Sequence, residues 1–151
     1  MTQPDLPPTS RAVKNHAGLW SIALLALLSA AGCNPPADYA LVGSAFVPAA
    51  YGDIKIDKID KEQILVVLAL DHLPPPSEVE LGMTHYIVWF NAIGELPVAQ
   101  RALEYDSEAR TGAASIPTTM REFEVQITAE QSATPVQPSD LLVASQRIRE
   151  K

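Results

Sequence analysis

The stretch Arg121-Glu122-Phe123-Glu124-Val125-Gln126-Ile127-Thr128-Ala129-Glu130 alternates polar and apolar residues from Glu122 to its end. Successive side chains of a β-strand point to opposite faces. Phe123, Val125, Ile127 and Ala129 therefore share a buried face, and Glu122, Glu124, Gln126, Thr128 and Glu130 share a wet one. A helix over the same residues would instead cluster Arg121, Glu124, Val125 and Thr128 and place a carboxylate beside the core. The period is two, and the segment reads as a strand.

Moving outward, Thr84 to Asn91 (THYIVWFN) sends Tyr86, Val88 and Phe90 one way and His85, Ile87 and Trp89 the other. Gln63 to Leu70 (QILVVLAL) is almost wholly apolar and rich in β-branched residues, which suits a central strand; a buried helix is the competing reading, but the run is short and closes before Pro74. Asp53 to Asp57 alternates cleanly. Val42 to Val47 suggests a first strand stopped by Pro48, Val98 to Tyr105 a further strand, Ala113 to Ile116 a short one and Leu141 to Ser145 the last, with Gln146 to Lys151 fraying or pairing as a polar edge. Asn91 to Pro97 turns, with Gly94 free to take a positive φ. Leu73-Pro74-Pro75-Pro76 cannot continue a ladder, because prolines offer no backbone donor, so it is expected as an exposed connection or an edge. Seven or eight strands separated by turns, with no room for crossover helices, predict an all-β sandwich or barrel.

The first 32 residues belong to none of this. After Arg11, Lys14 and His16, every residue from Ala17 to Ala31 is apolar or small, a basic segment followed by an apolar one too short to span a bilayer comfortably. Leu28-Ser29-Ala30-Ala31-Gly32-Cys33 then ends in the only cysteine of the chain. This stretch resembles the lipobox of bacterial lipoprotein precursors, with Ala30 where leucine is usual. The resemblance implies removal of residues 1–32 and acylation of Cys33, which becomes the contact with membrane lipid. Several acyl chains, at about 0.8 kcal/mol per buried methylene, hold a protein stably where one does not. Asn34, where many inner-membrane lipoproteins carry aspartate, implies the outer membrane. A plain signal peptide cut elsewhere and an uncleaved anchor are the competing readings. Residues 33–38 are then the lipidated cysteine and a short tether kept extended by Pro35 and Pro36, and residues 39–151 a single domain.

Composition narrows the role. Of 11 basic and 18 acidic residues, Arg11, Lys14 and Asp5 fall in the leader, leaving a formal net charge of −8. Such a surface does not suit a nucleic acid, whose phosphates need a basic face. One cysteine permits no internal disulfide.

The order of motifs carries a second resemblance. Gly43-x-Ala45, Gln63 to Val67 leading to Leu73 to Pro76, Gly82-x-x-His85-Tyr86-Ile87-Val88-Trp89, Phe123 to Glu130 and a late Pro138-Ser139 resemble the extracytoplasmic sandwich of anti-sigma-K-type regulators. The resemblance spans residues 41–145 and implies an immunoglobulin-like β-sandwich. Members of that group also carry a cytoplasmic sigma-binding helical domain and a membrane-spanning helix. The lipid attachment expected here takes the place of both, so the sandwich is inherited without the anti-sigma activity.

Candidate chemistry is sparse. His72 and His85 form no ligand pair at metal-binding spacing, the serines lack a nucleophile-elbow context, and Asp53, Asp57, Asp60 and Glu62 interleave with Lys55, Lys58 and Lys61 as a solvated face rather than a calcium loop. Neither metal nor cofactor is expected. The candidate interaction surface is Leu73, Pro74, Pro75 and Pro76, since a polyproline segment is rigid before binding. Tyr86 and Trp89 are candidate ligand-facing aromatics. The expectation is a non-enzymatic, lipid-anchored envelope protein acting through other envelope proteins. The alternative is a ligand-binding or sensory module for glycan or peptide, which an exposed Trp89 or Tyr86 beside a concavity would favour.

Overall fold

The computed structural model describes residues 37–97 and 99–149; the leader, Cys33, the tether to Pro36 and the last two residues lie outside them. Nine strands and one short helix follow in order: β1 (Ala37–Val42), β2 (Tyr51–Lys58), β3 (Ile64–Asp71), α1 (Pro76–Val79), β4 (His85–Asn91), β5 (Ala99–Ala102), β6 (Glu104–Asp106), β7 (Thr111–Thr118), β8 (Glu122–Glu130) and β9 (Leu142–Arg149). They form two antiparallel sheets, β1-β2-β3-β7-β6 and β5-β4-β8-β9, packed as a β-sandwich. Setting β1 aside, this is the strand order of an immunoglobulin-like domain.

The strand at 121–130 folds as its alternation requires. Phe123, Val125, Ile127 and Ala129 are buried between the sheets, facing the side chains of Ile54, Val66 and Leu68 across the core. β4 contributes Tyr86, Val88 and Phe90 to the same core, and the Phe90 and Phe123 rings lie 5.7 Å apart. β3 is central in its sheet, as its composition suggested, but its burial alternates: Ile64, Val66, Leu68 and Leu70 are buried while Ala69 is exposed.

Four segments depart from the expectation. The first strand runs over Ala37–Val42, not Val42 to Val47, because Leu41 is the side chain that reaches the core. Residues 43–50 instead cross towards the second sheet. Gly43 bridges Ala144, Ser44 N–H donates to Val143 O at 2.7 Å, and a Cβ on Gly43 would run into the Val47 carbonyl oxygen. The strand expected from Val98 to Tyr105, whose first residue lies outside the described ones, is two strands, Ala99–Ala102 and Glu104–Asp106, which raises the count among the described residues to nine. β5 pairs with β4 in one sheet, β6 pairs with β7 in the other, and buried Leu103 marks the change, its N–H donating to Tyr86 O at 2.8 Å. The short strand expected at 113–116 extends over Thr111–Thr118, paired along β3 from Leu70↔Gly112 to Ile64↔Thr118. Thr128 and Glu130, on the face of β8 expected to be wet, are buried. Elsewhere Gly94 takes φ 83° in its turn, and β9 pairs to its end, with Arg149 on Glu122 at 3.2 Å and Arg147 near Glu124 at 4.0 Å.

Val125→Asp places a carboxylate with no partner in this core and is expected to cost several kcal/mol or to unfold the domain. Glu124→Ala, on the opposite face, should change stability by less than about 1 kcal/mol. Parallel thermal melts of the two variants separate the faces; equal losses would contradict the sandwich register.

Candidate functional site

The proline run is a connection between β3 and β4, as expected, and it is packed against the domain. Leu73 and Pro76 are buried, and Pro74 and Pro75 are half-buried. Three consecutive prolines leave the run without the N–H groups a strand would use, so the carbonyls of Leu73 and Pro74 need partners from elsewhere. Two tyrosines supply them. Tyr86 Oη donates to Pro74 O at 2.6 Å and Tyr105 Oη donates to Leu73 O at 3.1 Å. Their rings meet edge to face at 5.4 Å. Leu73 N–H donates to Arg110 O at 2.9 Å, and both His72 (φ 59°) and Arg110 (φ 56°) take left-handed backbone beside this clamp. Pro76 then opens α1, and Glu78 on that helix pairs with Arg110 at 3.2 Å.

Tyr86, one of the two candidate ligand-facing aromatics, is thus a core residue, 1% exposed. Burial pushes its phenol well above the ordinary tyrosine range, with Tyr105 and Glu78 nearby adding to the effect; burial raises Tyr105 as well.

Trp89, the other candidate, is 2% exposed and lies on the opposite face of β4 from Tyr86, Val88 and Phe90. Its Nε1–H donates to Thr128 Oγ1 at 2.8 Å, Thr128 Oγ1 donates to Glu130 Oε1 at 2.6 Å, and Ser139 N–H donates to that same oxygen at 2.7 Å. Ser139 Oγ donates to Ala129 O at 2.8 Å. This chain explains the burial of Thr128 and Glu130: each polar atom meets another in a low-dielectric setting. Sequence reading did not find it, although Pro138-Ser139 stood out as a motif. Beside it a shallow cleft of about 270 Å³ is lined by Met83, Glu130, Gln131, Ser132, Pro135 and Ser139. Asn91, two positions on from Trp89, has a buried Oδ1 without a hydrogen-bond partner.

The remaining candidates are apart from one another. His72 stacks edge-on against Tyr51 at 5.1 Å, and His85 Nδ1 lies 2.7 Å from Thr84 Oγ1. Asp60 closes the β2–β3 turn, its Oδ1 accepting the N–H groups of Glu62 and Gln63 at 2.7 and 2.8 Å. Those two hydrogen bonds hold its carboxyl below the usual carboxylate range, with a smaller contribution from Arg121. Among the described residues, no group of three or more His, Cys, Asp or Glu side chains is gathered as a metal site, and no helix is long and apolar enough to cross a membrane. No protein-family model, curated protein or solved structure matches the chain.

Two measurements test this arrangement. Tyr86→Phe leaves Pro74 O without its donor and is expected to cost about 1–3 kcal/mol in a denaturant titration. The raised phenol also gives a pH signature. A folded-state value above the unfolded one means full stability below about pH 10 and a loss as pH rises beyond it, and that alkaline loss should shrink in Tyr86→Phe. Thr128→Val removes both the acceptor of Trp89 Nε1–H and the donor to Glu130, and should likewise cost about 1–3 kcal/mol; a loss near zero would mean that the chain Trp89–Thr128–Glu130 carries no weight.

Proposed function

We propose that this chain is a lipid-anchored component of the bacterial cell envelope that acts by contact with other envelope proteins and not by catalysis. The observation that carries the reading is the segment Leu28 to Cys33: an apolar run ends in small residues directly before the only cysteine of the chain. A buried structural cysteine has no need of such a run in front of it. Asn34 favours the outer membrane by the same analogy. The sandwich is read as a relative of the anti-sigma-K-type extracytoplasmic domain, put to use on a lipid tether.

The burial of Tyr86 and Trp89 supports contact through the outer surface of the domain over recognition of a glycan or peptide by these aromatics. His72 meets Tyr51 and His85 meets Thr84, an arrangement that suits structural roles. The open cleft beside Glu130 is the feature that speaks for the ligand-binding alternative, but its volume of about 270 Å³ falls below the range usual for small-molecule sites.

Cys33→Ser is expected to abolish lipid attachment and release the protein into the aqueous fraction. Mass spectrometry of the mature N-terminus decides it: an unmodified Cys33, or a mature chain starting elsewhere, overturns the anchor.

A further inference from the structure

Glu130 closes β8 and is 6% exposed, yet half of its carboxylate is unused. Every hydrogen bond that the described residues give its side chain goes to Oε1, from Thr128 Oγ1 and Ser139 N–H. Oε2 receives none and lies open to the cleft, which Glu130 lines together with Met83 and Pro135. A carboxylate withdrawn this far from water bears a desolvation cost that a nearby cation would offset.

The domain places no such cation there. Residues 76–97 and 122–146, which supply every side chain of the cleft, contain no lysine or arginine. His85 stands opposite Glu130 in the register of β4 and β8, but its Nδ1 lies against Thr84 Oγ1 at 2.7 Å. Arg147 and Arg149 of β9 are engaged further back along β8, near Glu124 and with Glu122. The exposed charges that adjoin the cleft in the chain, Glu80 and Asp140, are acidic and add to a potential that draws positive groups.

Size and surroundings decide the form in which a cation comes. The cleft, about 270 Å³, has room for roughly nine waters at ~30 Å³ each, which suits one long side chain. Met83 and Pro135 offer apolar walls to the methylenes of such a chain, while its charged head reaches the carboxylate. Leu81, two residues before Met83, and Val136, next to Pro135, are 90% and 100% exposed. A protein surface seated on the cleft covers apolar side chains of this kind, and a free amine leaves them in water. Resting on the reading that this chain works by contact with other envelope proteins, we infer that the cleft takes the arginine or lysine side chain of such a partner, which donates to Glu130 Oε2. A hydrogen bond between ionised groups is among the stronger ones. Oε1 stays with Thr128 and Ser139, so the bonds that hold the β8–β9 connection are kept, and the Trp89 indole senses the cation through Thr128.

The test uses the full chain, produced in cells, labelled with ¹⁵N and held in a non-ionic detergent. The probes are N-acetyl-arginine methylamide and its neutral isostere, N-acetyl-citrulline methylamide. The arginine compound is expected to shift the Ser139 amide and the Trp89 indole N–H saturably, and the citrulline compound to bind about tenfold more weakly or worse. Glu130→Gln keeps an oxygen for Thr128 and Ser139 and should reduce the arginine response to the citrulline level. Ser132→Lys, at an exposed position of the cleft, supplies a tethered cation and should block the probe without touching Glu130. Equal responses to both compounds, or an arginine response that survives in Ser132→Lys, overturn the cation site. Photo-crosslinkers at Val136 and at distant Phe46, in intact envelopes, then separate the sources. A cross-link from position 136 to a segment of another protein bearing arginine or lysine, lost in Ser132→Lys, is the expected result. An arginine response with no such cross-link assigns the cleft to a free amine and overturns the protein partner. Cross-links from position 46 alone overturn the cleft and leave the contact reading standing; cross-links from neither position overturn both.

Discussion

Tyr86, Val88 and Phe90 on β4 and Phe123, Val125 and Ile127 on β8 form one apolar patch across two paired strands, and such a patch is stable in water only beneath a second sheet. Ile54, Ile56, Ile64, Val66, Leu68 and Leu70 of β2 and β3 are that cover. The dry contact between these faces has consequences around the rim. The chain must pass from one sheet to the other without stranding polar backbone, and it does so at Leu103, whose side chain stays in the core while its N–H bonds across to Tyr86 O. It must also leave β3 for β4 over the top of the core. There the proline run supplies no donors, and the hydroxyls of Tyr86 and Tyr105 hold its carbonyls in place.

A second pattern of satisfied polar groups lies on the far face of β4 and β8. Trp89, Thr128, Glu130 and Ser139 pass hydrogen bonds from an indole to a hydroxyl to a carboxylate and on to a backbone amide. This ties the long β8–β9 connection to the strand it leaves. Trp89, a candidate ligand-facing aromatic, is in this way buried within the domain, and the carbonyls of the proline run are held by two tyrosines.

The all-β fold was legible because a strand buries alternate residues, and that requirement acts on each segment separately. Phe123 to Ala129 and Tyr86 to Phe90 announce their buried faces with no reference to the rest of the chain, and β2 and β4 fall where the alternation places them. Local pattern was silent wherever a distant partner decided the outcome. The first strand was displaced to Ala37–Val42 because Leu41 finds the core and Gly43 turns the chain towards Ala144. The strand expected from Val98 to Tyr105 broke at Leu103 because its two halves have partners in different sheets.

Fold class, the buried faces of the principal strands and the apolar run before Cys33, on which the proposed anchor rests, were all legible in the chain alone, since each depends on residues within a few positions of one another. Which polar residues are buried, and which aromatics are tied to a partner, depends on packing between distant segments. Thr128 and Glu130 are dry because Trp89 and Ser139 lie against them, and Tyr86 is spent on Pro74. Their partners stand 9 to 39 residues away in the chain, a separation that no local period encodes.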